Sequence, residues 1–346
     1  MKKSQQKISG YALIGEELAL SPVDIFIANG IITAIEDNPG VPEIWISPAL
    51  FNTHTHLGDT VAMDCSTKGD LEALVTPPDG LKHRLLRAAS RENLIGGMRA
   101  CMEGMIAAGT AGCADFREGG IEGVLAMEEA ATGLPFRPFI FGREGGETVA
   151  GGLGISSIRD VPDTDRLVSD AKQAGKKIAF HAGERDTKDI DGAIAYEPDL
   201  LIHMTHATKK QLRECAERQI PIVVCPRSNW ILGVTSSRRH PPLALMDELG
   251  CTVCLGTDNA MFVPPDLFSE MAFVSTVYRT EPADLLRVAV QGSAVIGPSF
   301  FIRVGSRANL FAMDPARSAM RFSRDPLATL VKRANSAAIR TNVFSL

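Results

Sequence analysis

The sequence has no excess of positive charge, no long apolar run and no cysteine framework. Its 36 Lys and Arg stand against 41 Asp and Glu, for a formal net charge of −5. No basic field is available to draw a phosphate backbone or an acidic lipid surface, which argues against nucleic acid and membrane as partners. No stretch approaches the ~18 apolar residues needed to span a bilayer. The opening MKKSQQKISGYALIGEE also lacks the apolar stretch that follows the basic residues of a signal peptide. A cytoplasmic protein is expected. Seven cysteines, an odd number scattered through apolar contexts, fit reduced thiols. Cys251 and Cys254 form a lone C-x-x-C inside CTVCLGTD, which reads as a buried strand because no second pair follows.

No low-complexity segment or long linker interrupts the 346 residues, a length that suits one large domain with an appendage or two domains. Residues 17–35 alternate apolar and polar around Asn29-Gly30, a hairpin pattern. After PEIWISPALFNTHTH the pattern changes to short apolar strands separated by amphipathic helical stretches such as HRLLRAASRENLIGGMRACMEGMIAAG. Strands are expected at 46–52, 111–116, 136–141, 152–156, 177–181, 200–203, 221–225 and 251–256. Eight strands alternating with helices favour a closed α/β barrel of the (β/α)8, TIM-barrel type over an open sheet. The expected division is a barrel over 47–303 and a small β region built from 1–46 and 304–346.

The placement of the seven histidines is the strongest signal in the chain. His54 and His56 form THTH just past the first expected strand, where residues two apart project to the same side. His181 ends the fifth strand in IAFHAGE, with Glu184 three residues on. His203 and His206 lie at the end of the sixth in LLIHMTHAT, and Asp258 ends the eighth in CLGTDNA. All fall at the carboxyl ends of barrel strands, the face where barrel enzymes keep their chemistry. Burying so many polar rings at matching strand ends would require a separate partner for each, whereas one metal ion satisfies the set.

The order HxH, H-x-x-E, histidine, CPRSN and GTDN resembles the amidohydrolase superfamily. Within it the resemblance is to the aminohydrolase branch that includes guanine deaminase, adenosylhomocysteine deaminase and triazine chlorohydrolases. The likeness spans nearly the whole chain and implies that the terminal β region is the small β-sandwich of that family. It also implies that His54, His56, His181 and Asp258 bind one divalent ion, zinc first and iron as the usual substitute. Members with two metals bridge them through a modified lysine on the fourth strand, and GGLGISSIRD has none there. Glu184 is implied as the proton shuttle and Asp258 as a second proton acceptor. The sixth-strand catalytic histidine is His203 by position, with His206 still open. The implied reaction is hydrolytic deamination of a purine, pterin or pyrimidine-like ring by metal-bound hydroxide. Two alternatives remain: another leaving group, chloride or a cyclic amide, or a metal-containing binding protein without turnover. Glu184, which contributes chemistry but need not contribute metal affinity, argues against the last.

Several further residues are candidates for contacting the substrate. Arg117 and Arg143 begin two copies of Arg-Glu-Gly-Gly, 26 positions apart, close to the length of one βα unit. Both should therefore stand beside the metal, where they could clamp an oxo, carboxylate or phosphate group, or brace the rim by pairing with loop carboxylates. His83 lies in a loop expected to close over substrate. Arg227 and Asn229 of CPRSN either line the mouth or cap the following helix. His240 has no assigned role. The expected partner is a small heterocyclic molecule, with a homodimer left open.

Overall fold

The computed structural model describes residues 5–66 and 68–345. Four strands come first: β1 (Gln5–Ile14), β2 (Ala19–Ala28), β3 (Ile31–Asp37) and β4 (Trp45–Pro48). β2 and β3 pair antiparallel across Asn29 and Gly30, both at positive φ (53° and 75°), the backbone an Asn-Gly hairpin turn requires.

The chain then builds a parallel sheet. Its strands are β5 (Leu50–His56), β6 (Thr110–Arg117), β7 (Arg137–Gly142), β8 (Gly152–Ile155), β9 (Lys177–Ala182), β10 (Leu200–His203), β11 (Ile222–Val224), β12 (Val253–Leu255) and β13 (Asp258–Asn259). β12 pairs with β11, and β13 pairs with β5. Between them Gly256 N donates to Val224 O and Thr257 N to His54 O, each at 3.0 Å. One interrupted eighth strand thus closes the sheet on its first member, giving the expected α/β barrel. Finally β14 (Asn309–Met313) and β15 (Ile339–Phe344) join the opening strands in a separate six-stranded sheet of order β15-β14-β4-β1-β2-β3.

Three local expectations are corrected. The strand expected at 46–52 is two strands, because Trp45–Pro48 pairs with β1 and β14 while Leu50 N donates to Gly109 O at the start of the barrel. His54 and His56 consequently lie inside a strand, not past it. The eighth strand runs beyond Gly256 and includes Asp258. The long amphipathic stretch after residue 80 is broken. Following α1 (Leu71–Val75) come α2 (Leu81–Ala88) and α3 (Arg91–Ala107), separated where the Ser90 hydroxyl accepts from Asn93 N.

Leu200, Leu201 and Ile202 are fully buried with Phe116, Phe141 and Phe180 in the main core. All seven cysteines are free thiols, and Cys254 lies buried in β12 as read. Among the described residues no helix is long and apolar enough to cross a membrane.

Candidate active site

β5 carries His54 and His56 at alternate positions, so both rings leave the same side of the strand. Their Nε2 atoms lie 3.1 Å and 3.5 Å from Asp258 Oδ1. The backbone turns sharply where the partners are delivered: His203 and Asp258 hold φ of 74° and 63° at the ends of their strands. Such conformations are rare outside glycine and persist where surrounding structure enforces them, often at functional sites. Three overlapping groups have their ligand atoms within 4.8 Å of one another: His54, His56 and Asp258; His54, His181 and His203; and Glu184, His203 and Asp258.

The donor chemistry fits a divalent ion. His56 Nδ1 lies 3.0 Å from the Phe116 carbonyl and His181 Nδ1 2.9 Å from that of Ile155. Carbonyl oxygens only accept, so each Nδ1 carries the proton and each Nε2 keeps its lone pair, the usual arrangement behind a metal-bound imidazole. Burial lowers the pKa of His54 to about 4 and holds those of His56 and His181 well below the ordinary imidazole value. The rings are therefore neutral, as a metal requires. Burial alone would raise Asp258, but the hydrogen bond with His54 and the adjoining His203 and His56 keep it well below the usual carboxylate range. Ser228 Oγ donates to its other oxygen at 2.6 Å. Three neutral imidazoles and one carboxylate form a set suited to zinc and its neighbours.

Glu184 is the exception to the burial, with 18% of its side chain exposed, and its Oε1 lies 3.7 Å from His203 Nε2. Burial pushes its pKa up. A cavity of about 50 Å³ lies over Glu184 and the histidines. It meets a larger one of about 420 Å³ at Pro77, Arg143, Ser156 and Asp160.

The other sequence candidates divide. Arg143 lines both cavities; its Nη2 lies 3.3 Å from the unprotonated Nε2 of His181, and its Nε is buried without a partner among the described residues. His83 lies in the wall of the larger cavity, its Nε2 3.1 Å from Val75 O. Arg117 is buried on Asp115 and Glu118 instead. His206 packs its ring 5.3 Å from that of His240, outside the three groups. Asn229 is fully buried and donates to Thr205 Oγ1 at 2.8 Å. Arg227 turns to Glu270 and to the carbonyls of Pro264 and Asp266. These two hold loops and line neither cavity at the histidines.

Of two further residues beside the histidines, Lys82 is absent from the sequence reading and Glu118 enters it only as a loop carboxylate for the arginines. Lys82, on α2, is 3% exposed and lines the small cavity, with Nζ 3.0 Å from Asn259 Oδ1 and 2.9 Å from Glu118 Oε1. Glu118 lies 2.8 Å from His56 Nδ1. Lysine in the first turn of an amphipathic helix ordinarily marks a solvated face, so only the repeat containing Glu118 offered a signal.

Residues 155–299 match the family model described as adenosine deaminase. A putative aminohydrolase of Methanothermobacter thermautotrophicus is 31% identical, over 96% of this chain and 95% of the relative. One of Archaeoglobus fulgidus is 34% identical, over 84% and 83%. Among solved structures, the guanine deaminase of E. coli superposes with a TM-score of 0.77 at 15% identity, covering 98% of this chain and 97% of that one. With its histidine and aspartate cluster at the strand ends of an α/β barrel, the chain belongs to the aminohydrolase branch of the amidohydrolase superfamily, hydrolases of carbon–nitrogen bonds.

Proposed function

We propose that the chain is a metal-dependent deaminase releasing ammonia from a nitrogen heterocycle of the purine, pterin or pyrimidine type. The observation that carries this reading is the convergence of buried His54, His56, His181 and Asp258 beside the less enclosed carboxyl of Glu184. Those four residues would hold one divalent ion, zinc or iron in its place. The ion supplies Lewis acidity that brings the pKa of a water toward ~7.

The remaining chemistry falls to side chains. Glu184 Oε1 takes a proton from water and gives it to the ring nitrogen next to the amine-bearing carbon, which makes that carbon electrophilic. As the water oxygen bonds to that carbon, Asp258 accepts its second proton and returns it to the amine, which departs as ammonia when the carbon–nitrogen bond breaks. His203 Nε2, within reach of both carboxylates, polarises the reacting oxygen or the leaving amine. Arg143, which lines both cavities, is placed to meet an oxo, carboxylate or phosphate group there.

Metal analysis coupled to ammonia release across a panel of aminated heterocycles tests this. One ion per chain and ammonia from at least one compound, lost on chelation, is expected. Tight binding without ammonia from any would make it a binding protein, and chloride release would transfer the reading to another leaving group. A second comparison separates the sixth-strand histidines: His203→Asn should lower kcat by about a hundredfold, while His206→Asn stays within a few-fold of wild type. The reverse pattern would move the role to His206.

A further inference from the structure

Glu118 gathers more charge than any motif reading assigns it. Its side chain is 5% exposed. Oε1 lies 2.8 Å from His56 Nδ1, 2.9 Å from Lys82 Nζ and 3.4 Å from Arg143 Nη1, and Oε2 accepts from Arg117 Nη2 at 2.8 Å. The carboxylate is ringed by three cationic side chains, Lys82, Arg117 and Arg143, and it lies against a ring whose other nitrogen faces Asp258 Oδ1.

The loop carrying Glu118 is locked by the second Arg-Glu-Gly-Gly. Gly119 N donates to Glu144 Oε2 at 3.0 Å. A methyl group on Gly120 would come within 2.9 Å of Glu144 O, and one on Gly146 within 2.6 Å of Gly120 O. Both are closer than real Cβ contacts, so the two loops touch backbone to backbone and only glycine fits between them. The repeated tetrapeptide is a contact between two adjacent spokes of the barrel.

We propose that Glu118 is a positioning residue for His56: clamped by the second Arg-Glu-Gly-Gly loop, its carboxylate backs the ring at Nδ1 and sets Nε2 toward the ion. The His56 N–H is directed at the Phe116 carbonyl, 3.0 Å away. The anion at its side strengthens Nε2 as a donor and resists rotation of the ring. This rests on the reading of His56 as a metal ligand.

The test uses the full chain stripped of metal and reloaded with Zn²⁺ or Co²⁺. Zn²⁺ affinity is measured by competition with a chelator, site geometry by the visible absorption of the Co²⁺ form, and folding by circular dichroism. Glu118→Gln should weaken Zn²⁺ binding roughly 10- to 100-fold and shift the Co²⁺ bands. Gly146→Ala, which pushes on the loop without changing charge, should weaken it by a few-fold. His56→Ala is the reference. If His56→Ala loses metal while folded Glu118→Gln keeps wild-type affinity and spectrum, the positioning role is overturned and the ligand reading stands. If His56→Ala binds like wild type, the ligand reading fails first. Should Glu118→Gln not fold, Gly146→Ala decides: weakened affinity with shifted bands supports the proposal, and wild-type behaviour overturns it.

Discussion

Replacing Glu184 with Gln should lower kcat by about 10²- to 10⁴-fold, leaving KM and bound metal near their wild-type values. The amide has the shape of the carboxyl and can still donate to or accept from a substrate, but it cannot carry a proton between water and a ring nitrogen. Glu184 is suited to that task because it is enclosed enough for its pKa to rise, yet keeps 18% of its side chain open where His203 and Asp258 face the cavity. A raised pKa brings a carboxyl closer to neutral pH, where it can both take and release a proton. The measurement is steady-state turnover of whichever heterocycle yields ammonia, together with metal content. A kcat within a few-fold of wild type would remove Glu184 from the mechanism. Equal loss of kcat and metal would make it a ligand instead.

The barrel and the histidine cluster were legible because both have local signatures. A strand is a short apolar run, and a histidine or aspartate at its carboxyl end must emerge on one face of the barrel. Residues whose partners are remote were not. Lys82 looks like a solvated helical lysine until α2 brings it to Asn259, 177 positions away. Arg227 looks free to line the mouth until Glu270, buried and 43 positions on, takes its guanidinium. The split between β4 and β5 is similar. Nothing in WISPALFNTHTH marks where one sheet hands over to the other, because the break is set by pairing with β1 and β14 on one side and β6 on the other. Direction, more than position, is what a single sequence withholds.

That limit bears most on Arg117 and Arg143, which the repeat makes look equivalent. Arg117→Met should destabilise the fold by about 3–5 kcal/mol, a fall in Tm on the order of 5–10 °C, with KM little changed. The Arg117 side chain is 3% exposed, and its guanidinium bonds Asp115 Oδ1 at 3.2 Å and Glu118 Oε2 at 2.8 Å while pressing on Gly58. Asp115 is itself fully buried, its second oxygen accepting from Leu57 N at 2.7 Å. Methionine fills much of the same volume but leaves two buried carboxylates short of a cation, and that uncompensated charge is the larger loss. Arg117 lines neither cavity at the histidines, so substrate binding has no direct use for it. Arg143→Met should behave in the opposite way, raising KM at least tenfold for a smaller change in Tm, because its one carboxylate contact, Glu118 Oε1 at 3.4 Å, is long and Glu118 keeps Lys82 and Arg117 as partners. Thermal melting and steady-state kinetics of the two variants, both in excess zinc, separate the roles. An Arg117→Met protein that melts like wild type but needs far more substrate would restore the paired clamp.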